Sequence, residues 1–115
     1  MAKVRVIDEE LILELSFWER VGALHSGPRV SLNAVTKVEF IDNLWSNKVL
    51  RGVRAPGTGI PYKVLLGTMR GRSYRDFTAL KGRGPGVLIT LSEGPFERWI
   101  FTLSQPRSEL ESLLT

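Results

Sequence analysis

The chain has 115 residues, of which 43% are hydrophobic and 24% charged, and its formal net charge is +4. This length accommodates one domain, residues 1–115, with a single modest core, and the composition is that of an ordinary globular protein. Because there is no cysteine and only one histidine, His25, disulfides, thiol catalysis and zinc sites built from thiolates or several imidazoles are excluded.

Targeting signals are not evident in the sequence. The N-terminal residues alternate between charged and apolar side chains and lack the continuous apolar region of a secretory signal. No apolar run approaches the ~20 residues that a membrane-spanning helix requires. We therefore expect a cytoplasmic protein without a transmembrane segment.

The first third of the chain predicts a hairpin followed by a short helix. Apolar residues alternate with polar ones at 4–6 and 11–15, and the acidic turn Asp8-Glu9-Glu10 separates the two strands. Ser16 and Glu19 have the spacing of a capping box, and Phe17, Val21 and Leu24 follow at helical spacing. We interpret the three tryptophans as core or loop anchors: Trp18, Trp45 and Trp99.

The remainder predicts further strands, one long loop and a terminal helix. Alternation continues at 29–32, 36–41, 64–69, 75–81, 87–91 and 98–103, and Ser92–Pro95 forms the turn between the last two strands. Periodicity fails at 42–62, where Ala55–Pro61 is predicted to be irregular. We expect this loop to be pinned to the body by its apolar side chains: Leu44, Trp45, Val49, Leu50 and Val53. After Pro106, a helix with an apolar stripe is predicted to cap the sheets: Leu110, Leu113 and Leu114.

These elements predict a mainly β fold: a curved antiparallel β-sandwich or partly open barrel of seven or eight strands, with a short helix after the first hairpin and a C-terminal capping helix. The chain resembles small bacterial pleckstrin-homology-like (PH-like) proteins. The residues that carry the resemblance are Ser16–Leu24, Arg54–Pro61, the pair Gly67-Thr68, and Asp76-Phe77 with the strand that follows.

The resemblance implies a non-enzymatic interaction module. PH-like domains bind phosphoinositides, peptides or protein surfaces, and the lipid-binding members hold phosphates with basic residues around the first hairpin turn. Here that turn is Asp8-Glu9-Glu10, whose carboxylates would repel a phosphorylated headgroup, so no residue of that site is carried over. We expect a protein or peptide partner, and a homo-oligomer is compatible with the sequence.

A basic, glycine-rich segment at 51–86 gives the alternative function. It contains eight basic residues and one acidic residue, Asp76. Such a segment attracts an anionic ligand, nucleic acid or a membrane surface, although runs of charge are more often solvated faces. The candidate anion-binding residues are Arg54, Arg70, Arg72, Arg75, Lys81 and Arg83.

Cofactor and catalytic motifs are not found. Gly52–Thr58 lacks the lysine of a phosphate-binding loop, and neither cluster of closely spaced glycines completes a dinucleotide fingerprint. Arg72 occupies the place of the first stacking aromatic residue of an RNA-recognition motif. We therefore expect no enzyme activity, catalytic residue, metal or cofactor.

Overall fold

The computed structural model describes residues 3–23, 27–42, 44–45, 53–60, 64–71, 74–82 and 85–114. Within these ranges there are nine strands and two α-helices. In chain order they are β1 (Lys3–Ile7), β2 (Glu10–Glu14), α1 (Phe17–Ala23), β3 (Arg29–Ser31), β4 (Val35–Ile41), β5 (Val53–Ile60), β6 (Val64–Arg70), β7 (Arg75–Lys81), β8 (Gly86–Leu91), β9 (Arg98–Thr102) and α2 (Arg107–Leu114), with a 3-10 turn at Leu32–Ala34.

The strands form two sheets and no closed barrel. The smaller sheet has the order β1-β2-β3, and the larger has the order β4-β8-β9-β7-β6-β5. The mainly β prediction with a C-terminal helix is confirmed. The expectation of a wholly antiparallel arrangement was wrong at one place, because β9 runs parallel to β7. The β8–β9 hairpin lies between β4 and β7, and this position gives β9 the same direction as β7.

The N-terminal hairpin is confirmed, with Val4 opposite Leu13 and Val6 opposite Leu11. Its turn is shorter than predicted, because Glu10 already belongs to β2. Asp8 and Glu9 adopt positive φ angles of 50° and 63°, as a two-residue turn matched to the right-handed twist of the strands requires.

The segment predicted to be irregular contains a strand instead, and this is the additional ninth strand. Strand β5 pairs only with β6, at the edge of the larger sheet, and its register shifts by one residue between Arg54 and Gly57. Pro56 has no backbone N–H to donate, so it is tolerated at an edge and within a bulge. The prediction failed because proline and glycine, which argue against a central strand, are compatible with an edge strand.

Two apolar clusters lie on opposite faces of the larger sheet. The first fills the space between the sheets and includes Leu11, Leu13, Phe77, Trp99 and Phe101. Val6, Val38 and Phe40 are partly buried and pack against this cluster.

The second cluster contains Leu80 and Ile100 and includes Leu44 from the predicted anchored loop. The indole Nε1 of Trp45 donates to the carbonyl of Gly82 at 2.8 Å, which confirms anchoring by this part of the loop. Val49 and Leu50 lie outside the described residues, and the Val53 side chain is not described.

Helix α2 docks as predicted on the space between the sheets. Leu110 is fully buried, and Leu114 packs at the margin of the same cluster. Just before the helix, the Gln105 side-chain amide forms two hydrogen bonds with the backbone of Val4. Its Oε1 accepts from the Val4 N–H at 2.7 Å, and its Nε2 donates to the Val4 carbonyl at 3.1 Å. The two helices of the described chain are both too short to cross a membrane.

Candidate functional site

Helix α1 begins at the predicted capping box, which both of its hydrogen bonds confirm. The backbone N–H of Ser16 donates to Glu19 Oε1 at 3.0 Å, and the backbone N–H of Glu19 donates to Ser16 Oγ at 3.3 Å. These bonds satisfy two of the free backbone groups at the start of the helix. The first turn of α1 is therefore stabilised by its own hydrogen bonds.

Three apolar side chains of α1 are exposed: Phe17 to 61%, Trp18 to 74% and Val21 to 49%. The Phe17 and Trp18 rings meet edge to face, with centroids 5.3 Å apart and planes at 73°. Aromatic pairs favour this geometry because the positive edge of one ring meets the negative face of the other. We call these three residues the aromatic surface.

The rotation of α1 explains why its apolar side faces solvent. Successive helical residues are about 100° apart, so Glu19 lies on the side opposite to Phe17 and Val21. Glu19, whose carboxylate accepts the Ser16 N–H of the capping box, faces the body and is 1% exposed. The interpretation of Trp18 as a core or loop anchor was therefore wrong, whereas it is right for Trp99, which is 1% exposed.

Helix α1 packs against β5 and β6 of the larger sheet. These two strands belong to the basic segment 51–86, and α1 itself carries Arg20 in its last turn. The aromatic surface thus lies on a helix that packs against two strands of the basic segment.

The fold distributes the candidate anion-binding residues over both ends of the larger sheet. Arg70 lies directly opposite Arg75 in the β6–β7 ladder, and Arg54 lies opposite Met69, the residue before Arg70. Lys81 lies opposite Val64, at the other end of β7. At 3.3–3.4 Å per residue, Arg75 and Lys81 are about 20 Å apart. Arg72 and Arg83 lie outside the described residues, as does His25.

The one acidic residue of the segment, Asp76, lies beside Arg75 and forms an ion pair with a residue of β9. Asp76 is fully buried and pairs with Arg98, whose Nη2 and Nε lie 2.6 and 3.1 Å from Asp76 Oδ2. Arg75 is exposed and forms no ion pair with another described residue. Arg70 occupies the register position opposite Arg75, which makes this end of the ladder a candidate for anion binding.

A groove opens beside Arg75, between the end of the β6–β7 hairpin and the loop that joins β8 to β9. Its volume is about 650 Å³, and its walls come from Gly71, Tyr74 and Arg75 on one side and residues 91–97 on the other. Within the described ranges, no cluster of three or more histidine, cysteine or acidic residues has the geometry to hold a metal ion.

Comparisons with known proteins identify no relative of this chain: no protein-family model, curated protein or solved structure matches it significantly.

Sequence reasoning missed the aromatic surface, since the spacing of Phe17 and Val21 is the same for a core-facing and a solvent-facing stripe. No local motif separates these two orientations, because a capping box does not specify burial of its glutamate. The burial of Glu19 in the fold turns Phe17 and Val21 outward.

Proposed function

We propose that this protein is a non-enzymatic, PH-like binding module of the cytoplasm that recognises a protein partner through the aromatic surface of α1. One observation carries the proposal: Phe17 and Trp18 are 61% and 74% exposed on a helix that packs against β5 and β6 through its other side. Exposed aromatic residues in one patch are typical of protein interfaces, and tryptophan is enriched among the residues that dominate binding energy.

The energetics favour a partner that covers both rings. Burying a large apolar side chain contributes about 1.5–3 kcal/mol, and an aromatic side chain has only two rotatable bonds to immobilise. The edge-to-face contact between Phe17 and Trp18 restricts both rings further. A partner therefore gains apolar contact area at a small cost in side-chain entropy.

Charge favours a partner of different sequence over a second copy of this chain. Helix α1 carries Arg20 in its last turn and packs on β5 and β6, whose sequences contain Arg54 and Arg70 and no acidic residue. A symmetric dimer through α1 would bring two such regions together. The complementary surface is apolar at its centre and carries carboxylates at its rim.

A photo-crosslinking experiment tests this proposal. Benzoylphenylalanine replaces Trp18 in one sample and, as a control, Glu111 on the exposed side of α2 in another. We expect position 18 to capture one dominant protein in the native host, and that protein, once purified, to bind the unmodified chain with saturable affinity. Equal capture at both positions, or no binding by the purified protein, would contradict the proposal.

The direct opposition of Arg70 and Arg75 favours a second candidate function, the binding of an anionic ligand. We expect the variant Arg70→Ser/Arg72→Ser/Arg83→Ser to lose heparin affinity at low salt while it keeps its melting temperature, because three positive charges of the basic segment are removed. Heparin binding should also weaken steeply as ionic strength rises. If the parent protein ignores heparin, or if the variant binds it equally well, this second function is wrong.

A further inference from the structure

The groove beside Arg75 has walls held in place by backbone hydrogen bonds. The N–H of Glu97 donates to the carbonyl of Arg75 at 2.7 Å and joins the two walls, and the N–H of Leu91 donates to the Glu97 carbonyl at 2.8 Å. On the other wall, the N–H of Gly71 donates to the Tyr74 carbonyl at 3.0 Å. These bonds hold the backbone at Arg75, Glu97 and Leu91 before any ligand arrives, which lowers the entropic cost of binding there.

The interior of the groove offers apolar contact. Phe96 is buried and meets Phe77 edge to face, with ring centroids 5.3 Å apart. Tyr74 lies against Gly71 so closely that a Cβ added to this glycine would come within 2.2 Å of the ring. Gly71 thus permits the position that Tyr74 takes on the groove wall.

Residues of opposite charge line the groove. Arg75 is exposed on one wall and Glu93 is exposed on the other. Neither side chain forms an ion pair with a described residue. Glu93 gives the groove a negative charge as well, so a ligand with both an acidic and a basic group fits it better than a purely anionic one.

The exposure of the walls indicates an extended ligand. Arg75, Ser92, Glu93, Gly94 and Pro95 are all exposed, whereas sites for small molecules enclose most of the ligand surface. A peptide lying along the groove can place alternate side chains toward the two walls while its backbone stays partly in water.

From this geometry we infer that the groove binds an extended peptide segment that carries both an acidic and a basic side chain. The acidic side chain pairs with Arg75 and the basic one with Glu93, while an apolar neighbour contacts Tyr74 and Pro95. This site is separate from the aromatic surface, and its occupant does not depend on the partner of α1.

Selection from a random 12-residue phage-display library tests the inference. The peptides selected on the wild-type chain are synthesised and titrated by fluorescence anisotropy. We expect them to carry one acidic and one basic residue at a constant spacing. Affinity should fall about tenfold in Arg75→Glu and in Glu93→Lys, since each reversal replaces an attraction by a repulsion.

Matched variants locate the binding. Lys81→Glu makes the same change of charge at the other end of β7, so peptide affinity should stay within about twofold of the wild-type value. Exchanging the acidic and basic residues of a peptide should restore its binding to Arg75→Glu/Glu93→Lys. The peptides should also bind Trp18→Ser as well as the wild-type chain. Selection of no peptide, of purely acidic peptides, or of peptides that bind Arg75→Glu unchanged would overturn the inference.

Discussion

Asp76 and Arg98 form the most deeply buried ion pair of the described chain, with side-chain exposures of 0% and 12%. They are direct neighbours in the parallel β7–β9 ladder. Removing one member of a buried pair leaves the other charge without compensation. The pair therefore links these two strands, and loss of either charge would destabilise the fold.

We expect Asp76→Asn to lower the free energy of unfolding by about 3 kcal/mol, measured by urea denaturation. Asp42→Asn, at an exposed position after β4, should change it by less than about 0.5 kcal/mol. Replacing both partners, as Asp76→Leu/Arg98→Met, should recover part of the loss because no buried charge remains. Equal stability of the two single variants would contradict this account of the pair.

Glu14 forms an ion pair with Arg5 at the surface, and this pair changes the pKa of its carboxyl. Arg5 Nη1 donates to Glu14 Oε2 at 2.7 Å, and this hydrogen bond, with the charges of Arg5 and Lys3, lowers the pKa of the Glu14 carboxyl. A carboxyl whose pKa is lower in the folded state stabilises the fold above its unfolded pKa. That stabilisation is lost as the pH falls through the folded pKa.

We therefore expect Arg5→Gln to raise the pKa of Glu14, measured by NMR titration of its carboxyl carbon. The variant should melt below the wild-type chain at neutral pH, and the two melting temperatures should converge in acid. Arg107→Gln, which removes the separate pair of Arg107 with Glu111 at 2.9 Å, should leave the Glu14 titration unchanged. A midpoint for Glu14 that Arg5→Gln does not move would show that the hydrogen bond is not its cause.

At the scale of elements, α2 depends on one fully buried side chain. Leu110 enters the cluster between the sheets, whereas Leu113 is half-buried and lies outside that cluster. We expect Leu110→Ala to cost about 2–5 kcal/mol of unfolding free energy, measured by chemical denaturation. Leu113→Ala is the matched control and should cost clearly less. Similar losses for both would place the docked face of the helix elsewhere.

Local patterns predicted most elements, because alternation and capping motifs depend only on residues that are close together in the sequence. The hairpin at β1–β2 and the cap of α1 are examples. Strand β5 could not be predicted in this way, since its tolerance of Pro56 depends on its place at the sheet edge. The parallel pairing of β7 with β9 likewise depends on where a later hairpin inserts, which periodicity does not encode.

At the scale of the whole molecule, the basic segment identified from sequence is divided by the fold. Arg70 and Arg75 meet at one end of the β6–β7 ladder, and Lys81 lies at the other. The sequence therefore predicted that Arg70 and Arg75 lie close together but not that Lys81 lies apart from them. The groove beside Arg75 could not be predicted, because one of its walls is the loop at 91–97, which is distant in sequence. The aromatic surface could not be predicted from the sequence, because it depends on which side of α1 faces the body, and that side bears the buried Glu19.

The central claim is that Phe17 and Trp18 form the docking surface for a protein partner. The most direct test is calorimetric titration of the partner captured at position 18 with the variant Phe17→Ser/Trp18→Ser. The matched control is Ile7→Ser, which removes another exposed apolar side chain, 43% exposed, from β1. Both variants should keep melting temperatures within about 2 °C of the wild-type value, because substitutions at exposed sites change stability little.

The account predicts that Phe17→Ser/Trp18→Ser weakens binding by at least about a hundredfold, as expected when two residues that each contribute about 2 kcal/mol are lost. Ile7→Ser should bind within about twofold of the wild-type chain. An affinity that the double substitution leaves unchanged would contradict the claim that the aromatic surface binds the partner.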